Sequence, residues 1–377
     1  MKKIVILGAG MVGKAMAIDL SKKYFVKSID INPEALSFLS SKYSIETECF
    51  DVSDDQKLGR AIRDFDLVIS AVPGFLGYQT MKNVINHQKD LVDISFLPEE
   101  VTDLDPLAKE KKVTVIMDCG VAPGMPNLIA GYHNEMMQIE NFEYMVGGLP
   151  KERSFPFEYK APFSPCDVIE EYTRPARYVE NGKIVSKPAM SDVEFIEFKN
   201  VGTLEAFNSD GLRSLIYTLN TIPNMKEKTL RFPGHIRMIQ ALKAAGFLDH
   251  NPLTLKNQEV VPFDFTSEIL FNSWKLHPED EEFTLMKINL AGKEGGVAKT
   301  ITYDLYDEYD PSEKISSMAR TTGFTATAAA DMILNQIFDQ KGVFPPELVG
   351  KYPECFNYIL RYLEKRNIIY KKTEHLD

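Results

Sequence analysis

Short apolar runs alternate with amphipathic segments over the first 120 residues of the chain. Residues 3–8 (KIVILG) contain, after Lys3, an uninterrupted apolar run that ends in glycine, which is typical of a strand buried on both faces of a parallel sheet. Residues 13–24 (GKAMAIDLSKKY) then carry apolar side chains at helical spacing. Five more apolar segments, mostly separated by helical ones, cover residues 25–31, 45–51, 66–73, 90–95 and 113–120. This alternation predicts an α/β fold with a six-stranded, doubly wound parallel sheet.

Beyond about residue 125 the chain changes to longer strand-like segments joined by turns. The clearest of these segments cover residues 142–150, 176–190, 193–200, 204–209 and 283–293. Asn181 and Gly182 form a hairpin signal within the second segment, and residues 235–249 predict an amphipathic helix. This part of the chain therefore predicts an α+β domain with a mainly antiparallel sheet.

Three glycines between the first strand and the first helix match the pattern GxGxxG. Gly8 allows a tight turn, Gly10 lets the backbone approach a pyrophosphate, and Gly13 lets the helix pack against the strand. The N-terminus of the helix would offer backbone N–H groups to the phosphates. Asp30 ends the second strand 20 residues after Gly10, close to the offset that this pattern requires. The first domain is therefore predicted to be a dinucleotide-binding Rossmann domain.

Asp30 also predicts which dinucleotide binds. A carboxylate at this position accepts hydrogen bonds from both ribose hydroxyls and repels a 2′-phosphate, and no arginine follows it immediately, so the expected cofactor is NAD. Ligands of such sheets bind at the carboxyl ends of the strands. The predicted cofactor-binding residues are Gly8, Gly10, Met11, Val12, Gly13, Asp30, Asp51, Val52, Ala71, Val72, Pro73 and Ser95. For Asp51, capping of the following helix is an equally good interpretation.

The end of the chain is predicted to be helical. Residues 321–342 are rich in alanine and predict a long helix, and residues 345–370 predict a closing helix. We expect the long helix to return to the first domain, so that the second domain is an insertion. The predicted organisation is a Rossmann domain at residues 1–123, a substrate and dimerisation domain at 124–319, and C-terminal helices returning to the Rossmann domain at 320–377.

Charge and hydropathy argue against two classes of partner. The formal net charge of −11 disfavours nucleic acid and anionic membranes, since both favour basic surfaces. No apolar run approaches the roughly 18 residues of a membrane helix. The lysines and apolar run at the N-terminus could suggest a signal peptide, but three glycines interrupt the run and Asp19 stands where a small cleavage-site residue is needed. We therefore expect no nucleic-acid partner and no membrane partner.

The cysteines of the chain are widely spaced. They are Cys49, Cys119, Cys166 and Cys355. They form no CxxC pair and have no histidine at metal-ligand spacing, so no metal site is predicted. A disulfide framework would be unusual in a chain of 377 residues, so reduced thiols in a cytoplasmic protein are the expected state.

Charged residues cluster in three short segments of the second domain, at residues 170–178, 208–214 and 229–235. A single arginine in such a segment is more often part of a salt bridge. Three segments opposite one site are more consistent with a guanidinium that binds a substrate carboxylate. His235 stands beside a Pro-Gly turn in the third segment. These features predict a small-molecule site opposite the nicotinamide.

Several motifs resemble the saccharopine dehydrogenase family, in its glutamate-forming reductase branch. The resemblance lies in GAG (8–10), DCGVAPGMPN (118–127), GGLP (147–150), EYKAPFSP (158–165) and TLRFPGH (229–235). The motifs most similar to the lysine 6-dehydrogenases of the family are PGFLG (73–77), EEYTRPAR (170–177), SDGLRS (209–214) and SSMARTTGFTA (316–326). Saccharopine-acting members carry Asp-Pro-Gly where this chain has Ala122-Pro123-Gly124, and this difference favours a smaller substrate.

The resemblance implies oxidation of the ε-carbon of L-lysine by NAD, which gives 2-aminoadipate 6-semialdehyde and ammonia. The ε-amine has an unperturbed pKa near 10.4, so the site must help to remove a proton before hydride transfer. The hypothesised catalytic residues are Asp118, His235 and Lys160. The hypothesised substrate-binding residues are Asp93, Arg177 and Arg213. The aspartates would face the substrate ammonium and the arginines its α-carboxylate, while His235 and Lys160 would transfer protons.

Two other interpretations stay open. One is a saccharopine dehydrogenase that forms L-glutamate, or a related reductase of imines made from amino acids. The other, from a different class, is a non-catalytic NAD-binding redox sensor, against which the clustered charged segments argue. For the enzyme, the expected partner is a small amino-acid substrate, L-lysine or a saccharopine-like molecule. Exposed strands of the inserted sheet would also suit a homodimer interface.

Overall fold

The first sheet is parallel and has seven strands. The computed structural model describes residues 1–97, 99–163 and 165–376, and of residues 165 and 166 it describes the backbone alone. With elements numbered in chain order, the strands are β1 Lys3–Leu7, β2 Phe25–Asp30, β3 Glu46–Cys49, β4 Leu67–Ser70, β5 Asp90–Asp93, β6 Thr114–Ile116 and β17 Gly342–Phe344. Their order is β17-β6-β5-β4-β1-β2-β3. This order confirms the predicted doubly wound sheet and adds a seventh strand from the C-terminal part of the chain.

Apolar cores cover both faces of this sheet. The helices around it are α1 Met11–Ser21, α2 Pro33–Tyr43, α3 Asp55–Ile62, α4 Gly74–Asn86 and α5 Asp105–Lys111, the last preceded by a 3-10 turn at Val101–Leu104. Alternate side chains of β1 point to opposite faces. Ile4 and Ile6 therefore pack in one apolar cluster, and Val5 and Leu7 pack in another. Burial on both faces explains why the sequence of this strand is continuously apolar after the exposed Lys3.

The second sheet is mixed and mostly antiparallel, as predicted. Its nine strands are β7 Gln138–Pro150, β8 Ala176–Glu180, β9 Lys183–Lys187, β10 Glu194–Phe198, β11 Gly202–Asn208, β12 Asn224–Arg231, β15 Glu282–Glu294, β16 Val297–Glu308 and β18 Tyr370–Leu376. The order is β10-β11-β12-β7-β15-β16-β18, with β8 beside β12 and β9 beside β8. Strands β7 and β12 pair in parallel. The predicted hairpin joins β8 and β9, where Asn181 and Gly182 both have positive φ.

The C-terminal segment contributes strands to both sheets in addition to the predicted helices. The remaining elements of the chain are α6 Met125–Asn134, α7 Pro165–Thr173, α8 Leu215–Thr218, α9 His235–Ala244, β13 Leu253–Leu255, β14 Gln258–Val260, α10 Pro262–Trp274, α11 Ser317–Leu334, α12 Pro346–Gly350 and α13 Pro353–Glu364. After α11, β17 joins the first sheet and β18 joins the second. The closing helix predicted at residues 345–370 is two helices, because Pro353 lacks an N–H and starts a new helix.

A buried polar cluster ties the C-terminal segment to the first helix. Asp19 of α1 accepts hydrogen bonds from the hydroxyls of Thr327 in α11 and Tyr362 in α13, each at 2.9 Å. Arg366, which follows α13, donates to the same carboxylate at 2.8 Å. The long alanine-rich helix is therefore linked to the first domain by a hydrogen bond, and the residues after α13 are linked to it by an ion pair. The exact domain boundaries at residues 123 and 319 stay predictions.

Two glycines let α6 and α12 pack at backbone contact. A Cβ atom on Gly131 would lie 2.1 Å from the carbonyl oxygen of Glu347, and one on Gly350 would lie 2.1 Å from that of Leu128. We expect Gly131→Ala and Gly350→Ala each to lower the free energy of unfolding by about 1–3 kcal/mol, because the helices must move apart. Urea denaturation measures this change. An unchanged unfolding midpoint in either variant would contradict the packing described.

The described residues contain neither a helix long and apolar enough to cross a membrane nor a group of His, Cys, Asp or Glu side chains placed to hold a metal ion. Cys49, Cys119 and Cys355 are free thiols, and the side chain of Cys166 lies outside the described residues. Burial raises the pKa of the Cys119 thiol, and the charge of the neighbouring Asp118 adds to the shift. Cys119 is therefore a packing residue and not an activated nucleophile.

Candidate active site

A cavity of about 650 Å³ lies between the carboxyl ends of the strands of the first sheet and one face of the second sheet. Its lining includes all twelve residues that the sequence predicts to bind a cofactor, from Gly8 to Ser95. The second domain contributes residues of β7, α7 and β12, and α11 contributes Met318 and Thr322. The structure thus brings the predicted cofactor residues together, while cofactor binding itself stays a prediction.

The three glycines of the first loop have different surroundings. Gly8 has a φ of +102°, which L residues avoid, and a Cβ on Gly13 would lie 2.0 Å from the Gly8 carbonyl oxygen. At Gly10, by contrast, no described atom outside the adjacent backbone lies within 4 Å of the Cβ position. This open space is at the N-terminus of α1, where backbone N–H groups are available to a pyrophosphate. The loop therefore fits a dinucleotide.

Asp30 is held in place by backbone donors at the end of β2. One carboxylate oxygen accepts the N–H of Ala9 at 2.5 Å, and the other accepts the N–H of Asn32 at 2.7 Å. Asn32 in turn caps α2. The Asp30 carboxylate thus supports the glycine loop and also lines the cavity, where ribose hydroxyls would reach it.

Strand β12 supplies a polar wall of the cavity. Side chains alternate along a strand, and Thr229 and Arg231 both line the cavity. Leu230 points the other way and packs in an apolar core on the opposite face of the sheet. Glu227 is on the same face as Thr229 and lies behind it, linked through Ser209.

Arg231 is the one cationic side chain among the described residues that line the cavity. It pairs with Glu171 at 2.5 Å and donates to the hydroxyl of Tyr172 at 3.0 Å. The Arg231 side chain is 3% exposed and that of Glu171 is 19% exposed. Burial raises the pKa of Glu171, against the opposing charge of Arg231. Asp167 is one helical turn from Glu171 on α7 and lines the same cavity, so one guanidinium and two carboxylates are part of its lining.

Three of the hypothesised site residues form ion pairs outside the cavity lining. Asp118 pairs with Arg213 at 3.2 Å, and both side chains are almost fully buried. Arg213 also donates to the carbonyl oxygen of Leu97 at 2.6 Å. Arg177 makes two side-chain hydrogen bonds to Asp210, at 3.0 and 2.9 Å. Both arginines are therefore engaged by carboxylates of the protein, and this arrangement does not favour binding of a substrate carboxylate by either of them.

His235 and Lys160, hypothesised to transfer protons, also lie outside the cavity lining. Both ring nitrogens of His235 form hydrogen bonds. Nδ1 lies 2.9 Å from the carbonyl oxygen of Phe157, and Nε2 lies 3.0 Å from the hydroxyl of Tyr172. Burial, reinforced by the charge of Arg231, lowers the pKa of His235 to about 3. An enclosed neutral imidazole suits a packing role for His235. Proton transfer by Lys160 stays a prediction, with that residue outside the cavity lining.

Asp93 lies directly behind the cavity wall at the end of β5. Its carboxylate accepts hydrogen bonds from the N–H and the hydroxyl of Ser95, both at 2.9 Å. Burial raises the pKa of Asp93 to about 7, although the hydrogen bonds from Ser95 oppose the shift. Ser95 lines the cavity and Asp93 does not. Asp93, hypothesised to face the substrate ammonium, therefore reaches the cavity through the Ser95 hydroxyl.

Several cavity residues were absent from the hypothesised site. They are Tyr159, Asp167, Glu171, Thr229 and Arg231. Two regularities of the sequence point to four of them. Asp167 and Glu171 are four residues apart, which places both on one face of a helix. Thr229 and Arg231 are two residues apart, which places both on one face of a strand.

Two family models match the chain. The model described as saccharopine dehydrogenase NADP binding domain matches residues 4–116. The model described as saccharopine dehydrogenase C-terminal domain matches residues 120–369. Together they account for nearly the whole sequence.

Known proteins are similar along most of the chain at low identity. The mitochondrial alpha-aminoadipic semialdehyde synthase of Rattus norvegicus is 24% identical over 98% of this chain and 47% of its own, so the chain spans about half of that relative. The carboxyaminopropylagmatine dehydrogenase of Synechocystis sp. is 23% identical over 94% of both chains. The apo structure of saccharopine dehydrogenase (L-Glu forming) from Saccharomyces cerevisiae shares the fold, with a TM-score of 0.81, 20% identity and full coverage of both chains.

Proposed function

Because the chain belongs to the saccharopine dehydrogenase family, we propose that it is a dehydrogenase that oxidises the ε-amine of L-lysine with NAD. Lysine, NAD and water would give 2-aminoadipate 6-semialdehyde, ammonia, NADH and a proton. Relatives in the family are named as dehydrogenases of amine compounds. The choice of lysine within this class depends on the charges of the cavity.

The charge pattern of the cavity is the observation that carries the proposal. Among the described lining residues the acidic side chains are Asp30, Asp51, Asp167 and Glu171, and Arg231 is the one cation. Asp30 and Asp51 belong to the predicted cofactor residues, so the charges left for a substrate are those of Asp167, Glu171 and Arg231. Lysine brings one carboxylate for the guanidinium and two ammonium groups for the carboxylates. Saccharopine brings three carboxylates, and the lining offers a single guanidinium to bind them. The cavity therefore favours lysine over saccharopine.

In this proposal the residues of the second domain hold the amino-acid head of lysine. Arg231 donates hydrogen bonds to the α-carboxylate, and Glu171 with Asp167 binds the α-ammonium. These contacts orient Cε toward the cofactor side of the cavity. A bound nicotinamide supplies the hydride acceptor. The protein must also take a proton from the ε-ammonium before hydride transfer and admit the water that hydrolyses the imine.

We propose NAD as the cofactor. The observation that supports this choice is the Asp30 carboxylate, which backbone donors hold at the cavity wall. A 2′-phosphate beside it would meet a like charge, and no lysine or arginine of the first domain is among the described lining residues. The matching family model is named for NADP, so the preference requires a direct measurement.

Asp30→Ser is expected to shift the preference for NAD over NADP toward NADP by at least about tenfold, because it removes a like-charge contact with the 2′-phosphate. Initial rates with the two cofactors measure the ratio of kcat/KM. Asp51→Ser is the matched control, since it removes another carboxylate of the lining and should leave the ratio unchanged. A wild-type protein that already prefers NADP would contradict the assignment.

A second candidate function is oxidation of a polyamine-derived amine that bears one carboxylate. The cyanobacterial relative named carboxyaminopropylagmatine dehydrogenase matches over 94% of both chains. A substrate of that kind would also use a single guanidinium for its carboxylate and acidic side chains for its cationic groups. The charge pattern of the cavity suits this substrate as well as lysine.

A substrate panel distinguishes these candidates. Purified protein is incubated with NAD and with lysine, saccharopine or carboxyaminopropylagmatine, and NADH and ammonia are measured. NADH and ammonia from lysine would support the proposal. NADH and glutamate from saccharopine, or preferred oxidation of the agmatine derivative, would replace it. Tight NADH binding without turnover of any of the three would favour the redox-sensor interpretation.

A homodimer and a cytoplasmic location stay predictions from the sequence. The second sheet ends in the edge strands β10 and β18, which carry the exposed side chains Phe195 and Leu376. Edge strands with exposed apolar side chains suit pairing with a second copy of the chain.

A further inference from the structure

A chain of hydrogen bonds leads from the cavity wall to a buried carboxyl group. Thr229 lines the cavity, and its hydroxyl lies 2.7 Å from the hydroxyl of Ser209. Ser209 donates to Oε1 of Glu227 at 3.0 Å, and the N–H of Gly211 donates to Oε2 at 3.0 Å. Thr229, Ser209 and Glu227 are all buried.

We propose that Thr229, Ser209 and Glu227 form a proton relay that serves the amine substrate of the cavity. The inference rests on the proposed function, because it provides a destination for the proton that the ε-ammonium must lose. Thr229 is the relay residue that contacts substrate. Ser209 and Glu227 act through it.

Glu227 is buried without a cation to pair with it. Within the described chain, no Lys, Arg or His side chain lies at salt-bridge distance from its carboxylate. The titratable groups that face it are Glu171, Asp210, Tyr144 and Tyr178. Both neighbouring carboxylates are already paired, Asp210 with Arg177 and Glu171 with Arg231. A purely structural acceptor for Ser209 and Gly211 would not require a carboxylate here, since an amide oxygen would serve.

Burial raises the pKa of Glu227 to about 8, and the charge of Glu171 adds to the shift while the hydrogen bonds from Ser209 and Gly211 oppose it. A carboxyl group with such a pKa takes up and releases a proton near neutral pH, where a general base is most effective. The relay thus connects the cavity to a group whose proton affinity suits amine chemistry.

Thr229 and Arg231 are two residues apart on the same face of β12, and both line the cavity. In the proposed binding mode, a substrate whose α-carboxylate is held by Arg231 therefore lies on the face that also carries the Thr229 hydroxyl. Asp93 and Ser95 form a shorter hydroxyl-linked pair on the cofactor side of the cavity. The variant Asp93→Asn distinguishes proton transfer through this pair from proton transfer through Thr229 to Glu227.

The proposed proton transfer conserves atoms and charge. The ε-ammonium gives a proton to Oγ1 of Thr229 as Thr229 passes its own proton to Ser209 and Ser209 passes its proton to Glu227. One N–H bond of the substrate breaks and one O–H bond forms on the Glu227 carboxyl. The free amine can then lose hydride from Cε to NAD, which is reduced. The proton returns by the same path when the imine has been hydrolysed and the nitrogen leaves.

Variants of Thr229 and Glu227 test the relay. Thr229→Val removes the hydroxyl at nearly constant shape, Thr229→Ser keeps it, and Glu227→Gln keeps an oxygen acceptor that cannot take the proton. We expect kcat/KM for lysine at pH 7 to fall by about 100-fold to 10,000-fold in T229V and E227Q, and to stay within a few-fold in T229S. NADH affinity should be unchanged in all three. The rise of kcat with pH near pH 8 should disappear in E227Q.

Two results would overturn the relay. One is equal activity of T229V and T229S. The other is a rise of kcat near pH 8 that persists in E227Q and disappears in Asp93→Asn.

A second measurement does not depend on lysine as substrate. The infrared difference spectrum between wild type and E227Q should contain a protonated-carboxyl band that titrates near pH 8. If the band is present but lysine is not oxidised, the result would support Glu227 as the group that stores the proton. It would contradict the proposed function and leave the relay standing. Its absence would overturn the relay whatever the substrate.

Discussion

Replacing Arg231 by methionine is expected to reduce kcat/KM for lysine by at least about 100-fold, because truncating one partner of a buried charge pair costs about 2–5 kcal/mol. The substrate α-carboxylate would lose its guanidinium in a cavity whose other described charges are acidic. NADH affinity should stay within a few-fold of wild type, because Arg231 belongs to β12 of the second sheet and the glycine loop belongs to the first.

Substrate binding must be separated from stability in this variant, since Glu171 would lose its partner. Cadaverine, which is lysine without the carboxylate, provides the separation. We expect wild type to prefer lysine strongly and Arg231→Met to lose most of this preference. Arg177→Met is the matched control, because Arg177 pairs with Asp210 and does not line the cavity. If R231M kept the preference, or if R177M lost it, the carboxylate site would lie elsewhere.

Gly10→Val is expected to raise the Kd for NADH by at least about 100-fold, which corresponds to about 2.7 kcal/mol. The valine side chain would fill the open space beside the N-terminus of α1, where a pyrophosphate must approach the backbone. The fold should tolerate it, because Gly10 has a φ of −65° and no described atom outside the adjacent backbone lies within 4 Å of its Cβ position. Stability should fall by about 1 kcal/mol or less, since valine is a poorer N-cap than glycine.

Gly13→Ala is the comparison that separates a blocked site from a damaged loop. Its Cβ would lie 2.0 Å from the Gly8 carbonyl oxygen, so this variant should lose thermal stability as well as NADH binding. Fluorescence titration with NADH and thermal unfolding give the two readouts. Wild-type NADH affinity in Gly10→Val would show that no dinucleotide approaches this loop.

The first domain could be predicted closely because its signals are local in the sequence. β1 is continuously apolar since Ile4 and Val5 face different cores. The carboxyl ends of parallel strands meet at one edge of a sheet. Residues chosen at successive strand ends, from Gly8 to Ser95, therefore line one cavity.

Strand β12 could not be predicted in this way. Its sequence NMKEKTLR buries charged groups on both faces: Glu227 and Arg231 lie on the cavity side, and Lys228 on the other side pairs with Glu194. Such a sequence shows neither an apolar run nor an alternation of apolar and polar residues. Its parallel partner β7 is distant in the chain, and the pairing therefore has no local turn signal.

The sequence also could not show which arginine is available to a ligand. Arg177, Arg213 and Arg231 all stand in short charged segments. Tertiary folding brings Asp210 to Arg177 and Asp118 to Arg213, away from the cavity lining. Arg231 is paired too, but its partner Glu171 also lines the cavity, so both ends of that pair can reach a ligand.

Lysine labelled with ¹⁵N at the ε-nitrogen tests the proposed reaction most directly. Incubated with NAD, the protein is expected to release one ¹⁵N-labelled ammonia for each NADH formed, because hydride leaves Cε and the resulting imine is hydrolysed at that carbon. Release of unlabelled ammonia would place the oxidation at the α-carbon. No NADH from lysine, together with NADH and glutamate from saccharopine, would assign the chain to the glutamate-forming reaction instead.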